Sequence, residues 1–228
     1  MRKLLLLWTL TLCCVWLCES GASAQAAKNP FTDVSPDDYF HDAVLWAVRL
    51  GITKGMTETT FSPHKSCTRA HIITFLYRAI DGEQDYSDKP CPYEDVPDGA
   101  FYRNAAIWAF HHGLLTEKGV DGKLYFQGDS LCLRKDVVEY MWILAGRPKV
   151  ENWEKLVSPF SDVYNPKVPV SSHGQALPRA VAWALSENIT QGTSETTFSP
   201  KNSCTRGQIA TFLHRAREND DLKIKSGD

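Results

Sequence analysis

Apolar positions along this chain fall into two kinds of block, and each kind is used more than once. In the shorter block Ala43, Trp46, Ala47 and Leu50 recur at helical spacing, which predicts a helix that Gly51 ends in a left-handed cap. In the longer block Ile72, Ile73, Phe75, Leu76, Ala79 and Ile80 make a stripe wide enough for a buried helix, with Thr68 before it as N-cap.

Both blocks return with the motifs around them in fixed order. Phe31-Thr-Asp33-Val34 recurs as Tyr93-Glu-Asp95-Val96 and as Phe160-Ser-Asp162-Val163, placing the aspartates 62 and 67 residues apart. Ala43-Val-Leu-Trp46-Ala47 recurs as Ala105-Ala-Ile-Trp108-Ala109 and Ala180-Val-Ala-Trp183-Ala184. Gly51-Ile52-Thr-Lys-Gly55 is matched by Gly113-Leu114 and by Asn188-Ile189-Thr-Gln-Gly192. Phe61-Ser-Pro63 precedes Cys67-Thr68-Arg69-Ala70, and Phe198-Ser-Pro200 precedes Cys204-Thr205-Arg206-Gly207; the middle copy reads Tyr125-Phe126, then Cys132-Leu133-Arg134-Lys135. Internal repetition on this scale defines the architecture. The expectation is an all-α chain of three helix-loop-helix copies over 29–82, 90–147 and 157–219. Linkers lie at about 82–92 and 147–158, and a charged, disordered tail at 220–228. Thr205 with Gln208 reads as a capping box, whereas Leu133 cannot cap, so the second helix of the middle copy should start loosely.

The N-terminus changes the setting. Arg2 and Lys3, an apolar run from Leu4 to Leu17 and the small residues Ala22-Ser23-Ala24 make residues 1–24 a secretory signal peptide. A lipoprotein reading at Cys18 is disfavoured by Leu17 before it. No later run of about 18 apolar residues is present, so no membrane span is expected. Of the seven cysteines, Cys67, Cys91, Cys132 and Cys204 lie beyond the signal. Three of these share one repeated position, two residues before an arginine. They read as reduced, buried fillers unless their sites converge, with Cys91–Cys132 the first disulfide pair to test.

Formal charge is -2, from 25 basic and 27 acidic residues, and becomes about -3 once Arg2, Lys3 and Glu19 leave together. That balance excludes a diffuse attraction to nucleic acid or to an anionic membrane, so any anion must be held by a few placed cations. No metal or other cofactor is expected: His111 and His112 are adjacent and face different ways, and no zinc-site or calcium-loop spacing occurs. Gly-x-Ser-x-Gly is absent and the acids belong to repeated turns, so no catalytic residue is assigned.

The order Phe-x-Asp-Val, Trp-Ala, Gly-Ile-x-x-Gly, Phe-x-Pro, Thr-Arg-Ala resembles the S-layer homology repeat over nearly all of the chain beyond the signal. The resemblance implies a pseudo-threefold, three-pronged domain around a central helical bundle, secreted and fixed at the cell wall. It implies grooves between prongs that bind pyruvylated secondary cell-wall polysaccharide, with Arg69, Arg134 and Arg206 contacting the acidic sugar. This chain departs from the family where a final Glu is replaced by His71, Asp136 and Gln208. It departs again in the Lys118–Lys123 insertion and in a loop around Pro166–Pro178.

The residues suit that chemistry. An arginine in the first helical turn is unfavourable beside the positive end of the helix dipole. With Thr68 or Thr205 and free backbone N–H groups next to it, it complements a carboxylate. The plainer alternative is that each arginine pairs with Asp33, Asp95 or Asp162. Those aspartates read as structural, holding a turn by side-chain-to-backbone hydrogen bonds. Trp46, Trp108 and Trp183 read as core, with a ring edge open to a groove where a sugar could stack. Gly55 and Gly192 supply positive backbone angles or close ligand approach. The competing function is a structural or protein-interaction module that binds another cell-surface protein and no glycan.

Overall fold

The computed structural model describes residues 29–82, 84–165, 175–219 and 222–224. The expected signal at 1–24 and most of the extra loop near Pro166 lie outside the described residues. Among those described are seven α-helices and no strand: α1 (His41–Arg49), α2 (Arg69–Ile80), α3 (Arg103–His111), α4 (Arg134–Leu144), α5 (Trp153–Val157), α6 (Ala176–Ser186) and α7 (Arg206–Ala216). The architecture is all-α.

Local chemistry sets the helix ends. Gly51 has φ +69° and Gly113 φ +74°, so α1 and α3 end in the left-handed region that glycine enters without a Cβ clash. Asn188 takes the same place after α6 at φ 55°. At the start of α7, Thr205 Oγ1 accepts from the Gln208 N–H at 3.3 Å while Gln208 Oε1 accepts from the Thr205 N–H at 3.2 Å. Thr68 at α2 turns its hydroxyl to His71 Nδ1 instead, at 2.9 Å. The start of α4 is not loose: Asp136 accepts from the Leu133 N–H at 3.0 Å, the half of a capping box that needs no polar side chain at the N-cap.

The residues before α2, α4 and α7 meet on the pseudo-threefold axis. There the Cys67 N–H donates to the Cys204 carbonyl (2.8 Å), Cys132 to Cys67 (3.0 Å) and Cys204 to Cys132 (2.8 Å), closing a ring of three backbone hydrogen bonds. A second layer follows, in which Arg69 N–H donates to Ser130 O, Arg134 to Asn202 O and Arg206 to Lys65 O, at 2.8–3.0 Å. A third joins Ala70 N–H to Gly128 O, Lys135 to Pro200 O and Gly207 to Pro63 O. The first N–H groups of these helices, expected to be free, are therefore consumed by the neighbouring copy, because the helix starts are too crowded on the axis for water to serve them.

Packing does not follow the copies read from sequence. The second helix of each copy packs mainly against the first helix of the next: α2 with α3, α4 with α6, and α7 back onto α1. A further α2–α7 contact ties the hub. The apolar stripes are real, but they are covered from outside their own copy, and the closing pair joins the first helix to the last.

Two segments expected to be plain connectors take part in the core. Within 147–158, α5 buries Trp153 and Val157, spaced i and i+4, against α6. Leu222 and Ile224 of the expected free tail are also buried, and the Leu222 N–H donates to Asn219 O at 3.2 Å; 220–221 and 225–228 lie outside the described residues.

Among the described residues Cys67, Cys91, Cys132 and Cys204 are free thiols, and Cys67, Cys132 and Cys204 are buried at the hub beside one another. Burial pushes the Cys67 thiol from 9.0 up to about 12 and raises Cys132 and Cys204 as well. Folded-state thiols that stay protonated stabilise the fold fully below pH 9.0, and that contribution declines as pH rises toward the folded values. Native protein should thus lose resistance to urea between pH 9 and 11 more steeply than a Cys67→Ala variant. Of these four, only Cys91 should react with a thiol reagent before unfolding. Rapid labelling of the three hub thiols in native protein would contradict their burial.

Candidate ligand-binding grooves

Each repeated aspartate holds a distant loop rather than its own turn. Asp33 accepts from the Phe61 and Ser62 N–H groups at 2.8 and 2.7 Å. Asp95 does the same for Phe126 and Gln127, both at 2.7 Å, and Asp162 for Phe198 and Ser199 at 3.0 and 2.7 Å. Ser62, Gln127 and Ser199 sit at φ 53° to 59°, a left-handed conformation costing about 1–2 kcal/mol for a residue with a Cβ. The bidentate carboxylate offsets that strain.

The first-turn arginines reach the other side of the same peptides, one copy over. Arg69 Nη1 donates to Phe126 O (2.7 Å), Arg134 Nε to Phe198 O (2.9 Å) and Arg206 Nε to Phe61 O (2.9 Å). Each Phe carbonyl is thus bound by an arginine of the preceding copy while the neighbouring N–H groups are bound by an aspartate of its own copy. Among the described residues no ion pair within 4.0 Å joins these arginines to Asp33, Asp95 or Asp162, so the pairing alternative drawn from sequence is replaced by a shared peptide. Arg134 lies between the Phe198 and Phe212 rings, 4.7 and 5.3 Å from their centroids, and Arg206 lies over Phe61 at 4.4 Å.

The three guanidinium groups differ in how far they are satisfied. Arg206 Nη2 finds Lys54 O and Thr53 Oγ1 in the Gly51–Gly55 loop. Arg69 is half-exposed and spends Nη1 on Phe126 O and the Gln127 side chain, beside the Tyr140 hydroxyl. Arg134 is only 2 % exposed, and among the described residues its Nη2 has no hydrogen-bond partner. Burial lowers the pKa of Arg134 and Arg206, and the opposing pull of Asp162 on the first and Asp33 on the second does not make it up.

Arg134 lines a cleft of about 460 Å³ built from all three copies: Tyr39, the Thr190–Thr193 loop, and Gln208, Thr211, Phe212 and Arg215 of α7. Arg215 makes no hydrogen bond or ion pair among the described residues, so two arginines face one cavity with no carboxylate in its lining. Gly192 in that lining has φ +84°, and a Cβ there would fall 2.6 Å from the Phe160 ring. Gly55, its counterpart, would place a Cβ 2.6 Å from the Phe31 ring. These glycines let the loop close over an aromatic.

The tryptophans take no part in the clefts. Trp46, Trp108 and Trp183 are 5 %, 0 % and 1 % exposed, and the ring edge expected at a groove is covered, by His214 for Trp46 and by Tyr77 and His112 for Trp108. Thr68 and Thr205 serve their helix ends. What sequence reading missed is Tyr39, Thr211 and Arg215. A signal was present: Thr-x-x-x-Arg occurs at Thr74–Arg78 and again at Thr211–Arg215.

The S-layer homology domain matches residues 30–73 and 170–210. An amylopullulanase of Thermoanaerobacterium thermosulfurigenes is 26 % identical over 187 residues, 81 % of this chain and 9 % of the enzyme. A cell surface protein of Thermoanaerobacter kivui is 32 % identical over 98 residues, 41 % of this chain and 13 % of that protein. The surface-layer 125 kDa protein of Lysinibacillus sphaericus is 28 % identical over 108 residues, 46 % of this chain and 9 % of its own length. This chain therefore spans only a small part of each relative. The matched domain and the surface proteins agree on a location at the cell surface or cell wall. Among the described residues no helix is long and apolar enough to cross a membrane.

Removing one carboxylate clamp should cost about 2–4 kcal/mol, since two N–H groups lose an ionised acceptor at once. Asp162→Ala should show this in urea unfolding, with Asp162→Asn losing less. A change below about 0.5 kcal/mol would mean that the loop holds its left-handed residue unaided.

Proposed function

We propose that this chain attaches its bearer to the bacterial cell wall by holding a negatively charged glycan in grooves between copies, and that it catalyses no reaction on that glycan. The segment 90–147, outside the two matched stretches, serves in this reading as a third copy of the domain. Secondary cell-wall polysaccharide carrying pyruvate ketals is the ligand, because such a ketal fixes one carboxylate rigidly on a pyranose ring.

The observation that carries the reading is Arg134, a nearly buried guanidinium that lines a cleft together with Arg215 and whose Nη2 has no partner among the described residues. A buried cation without a counter-ion is unfavourable until an anion arrives, and a carboxylate can accept from it in a short, charge-assisted bond. Hydroxyls and amides from Thr190, Gln191, Thr193 and Gln208 offer both donors and acceptors to sugar hydroxyls. Arg206 holds the equivalent place over Phe61, but its Nη2 is already engaged by Thr53 and Lys54, which leaves Arg134 as the stronger anchor. Arg69, Thr68 and Thr205 act through the hub, holding the groove walls.

Purified chain should co-sediment with purified wall sacculi, and mild acid removal of the ketal should weaken binding by about tenfold or more, the worth of one charged hydrogen bond. Arg134→Gln, with folding verified by circular dichroism, should weaken binding to a similar degree. Equal sedimentation with native and ketal-free sacculi would remove the glycan reading and leave a protein-interaction module.

A further inference from the structure

The three helices that start on the axis begin alike in backbone and unlike in chemistry. In each copy the residue before the N-cap and the two after it donate their N–H groups to a neighbouring copy. The N-cap N–H alone stays within its own copy, taken by the side chain three residues on. Asp136 Oδ2 serves Leu133 at 3.0 Å, Gln208 Oε1 serves Thr205 at 3.2 Å and His71 Nδ1 serves Thr68 at 3.3 Å. Among the described residues the Thr68 N–H has no other acceptor. Of a carboxylate, an amide and an imidazole, only the imidazole ordinarily changes charge between about pH 5 and 8.

A backbone N–H can only donate, so His71 caps α2 as the neutral ring, with Nδ1 bare and the proton on Nε2. The Thr68 hydroxyl, 2.9 Å from the same nitrogen, donates to it as well. Protonation puts a hydrogen on Nδ1. The hydroxyl can then reverse and accept, whereas the backbone N–H is left facing a donor in a half-buried corner, where an unmade bond is costly.

The surroundings of the ring act in the same direction. His71 is the third residue of α2, at the positive end of the helix dipole. Arg206 at the start of α7 and Lys65 in the loop before α2 add like charge, and Asp129 in the loop before α4 opposes them. Phe101, just before α3, has its ring 5.7 Å from the imidazole at an interplanar angle of 36°. Burial first, then Arg206 and Lys65, hold the imidazole below its ordinary 6.5. Because the folded value is the lower one, the stability this ring contributes is fully present above pH 6.5 and is lost as pH falls through the folded value.

We propose that His71 is a proton-operated latch on the start of α2. Neutral, it fastens the Thr68 N–H. Charged, it releases that group and turns toward Asp129 and the Phe101 ring, the two neighbours that favour a cation. One of the three helix starts on the axis thus loosens in mild acid while those of α4 and α7 hold. Phe101 is 62 % exposed in the lining of a cleft of about 560 Å³ that also holds the Asp98–Arg103 ion pair at 3.3 Å, so the same proton moves part of that cleft's wall. The latch does not depend on what the clefts bind.

The test is amide hydrogen exchange of the whole chain, read by NMR at about pH 7.5 and about pH 5.5, on either side of the ordinary imidazole range. Protection of the Thr68 N–H should fall about tenfold or more at the lower pH, while the Leu133 and Thr205 N–H groups change by less than about twofold. In the unmodified protein the His71 ring should titrate below 6.5 and carry its neutral-form proton on Nε2. His71→Gln, which installs the acceptor that the third copy uses, should keep Thr68 protected at both pH values. His214→Gln, which alters the histidine packed on Trp46, should leave the fall in place. The two readings on unmodified protein decide the matter even if a variant fails to fold. Equal protection of Thr68 at both pH values, a His71 ring that titrates above 6.5, or a fall that survives His71→Gln would overturn the latch.

Discussion

Three backbone hydrogen bonds around one axis govern this molecule. The Cys67, Cys132 and Cys204 peptides donate to one another in a closed circle, which sets three helix starts at one separation and one orientation. From that frame each first-turn arginine reaches the phenylalanine carbonyl of the next copy. A small buried side chain is required where three backbones meet this closely, and cysteine meets the requirement without asking for a hydrogen bond. The inert thiols and the reactive-looking arginines are consequences of one geometric demand. The thiols must be near the axis, and the guanidinium groups must radiate from it.

Pseudo-symmetry supplies equal frames, and divergence then makes the frames unequal. Arg206 bonds Phe61 and the Thr53–Lys54 stretch of another copy, Arg69 is shared among three acceptors, and Arg134 keeps one nitrogen without a partner among the described residues. The same position on the second helix of each copy carries Thr74, Glu139 or Thr211 without disturbing the hub, because that position faces a groove. A repeat protein can in this way change what a groove accepts while keeping what holds the groove open.

Much of this was readable before any coordinates. Helical spacing around Trp46 and Ile72, the left-handed end at Gly51 and the box of Thr205 with Gln208 all depend on residues close in sequence, and the structure has them there. The aspartates were readable as structural, but their bonds span 28 to 37 residues, beyond any local turn rule. Exchange of partners between copies was not readable, since periodicity tells which face of a helix is apolar and not which neighbour covers it. The arginine N–H groups seemed free for the same reason: the carbonyls that occupy them come from 61 to 141 residues away. Burial of all three tryptophans follows from that exchange too, because the helix of the preceding copy closes over each ring. Trp153 and Val157 carried a helical spacing too short to stand out beside the repeated blocks.

Docking of α1 on α7 has one more consequence. A polypeptide that reaches its destination from the N-terminus onward must keep the apolar face of α1 waiting until α7 has emerged, since no earlier segment offers the matching surface. Its last assembly step joins the most distant parts of the fold, a high-contact-order closure that is slow compared with forming any single helix. Until it happens, Trp46 and its neighbours remain open to solvent, and the circle on the axis lacks two of its three links.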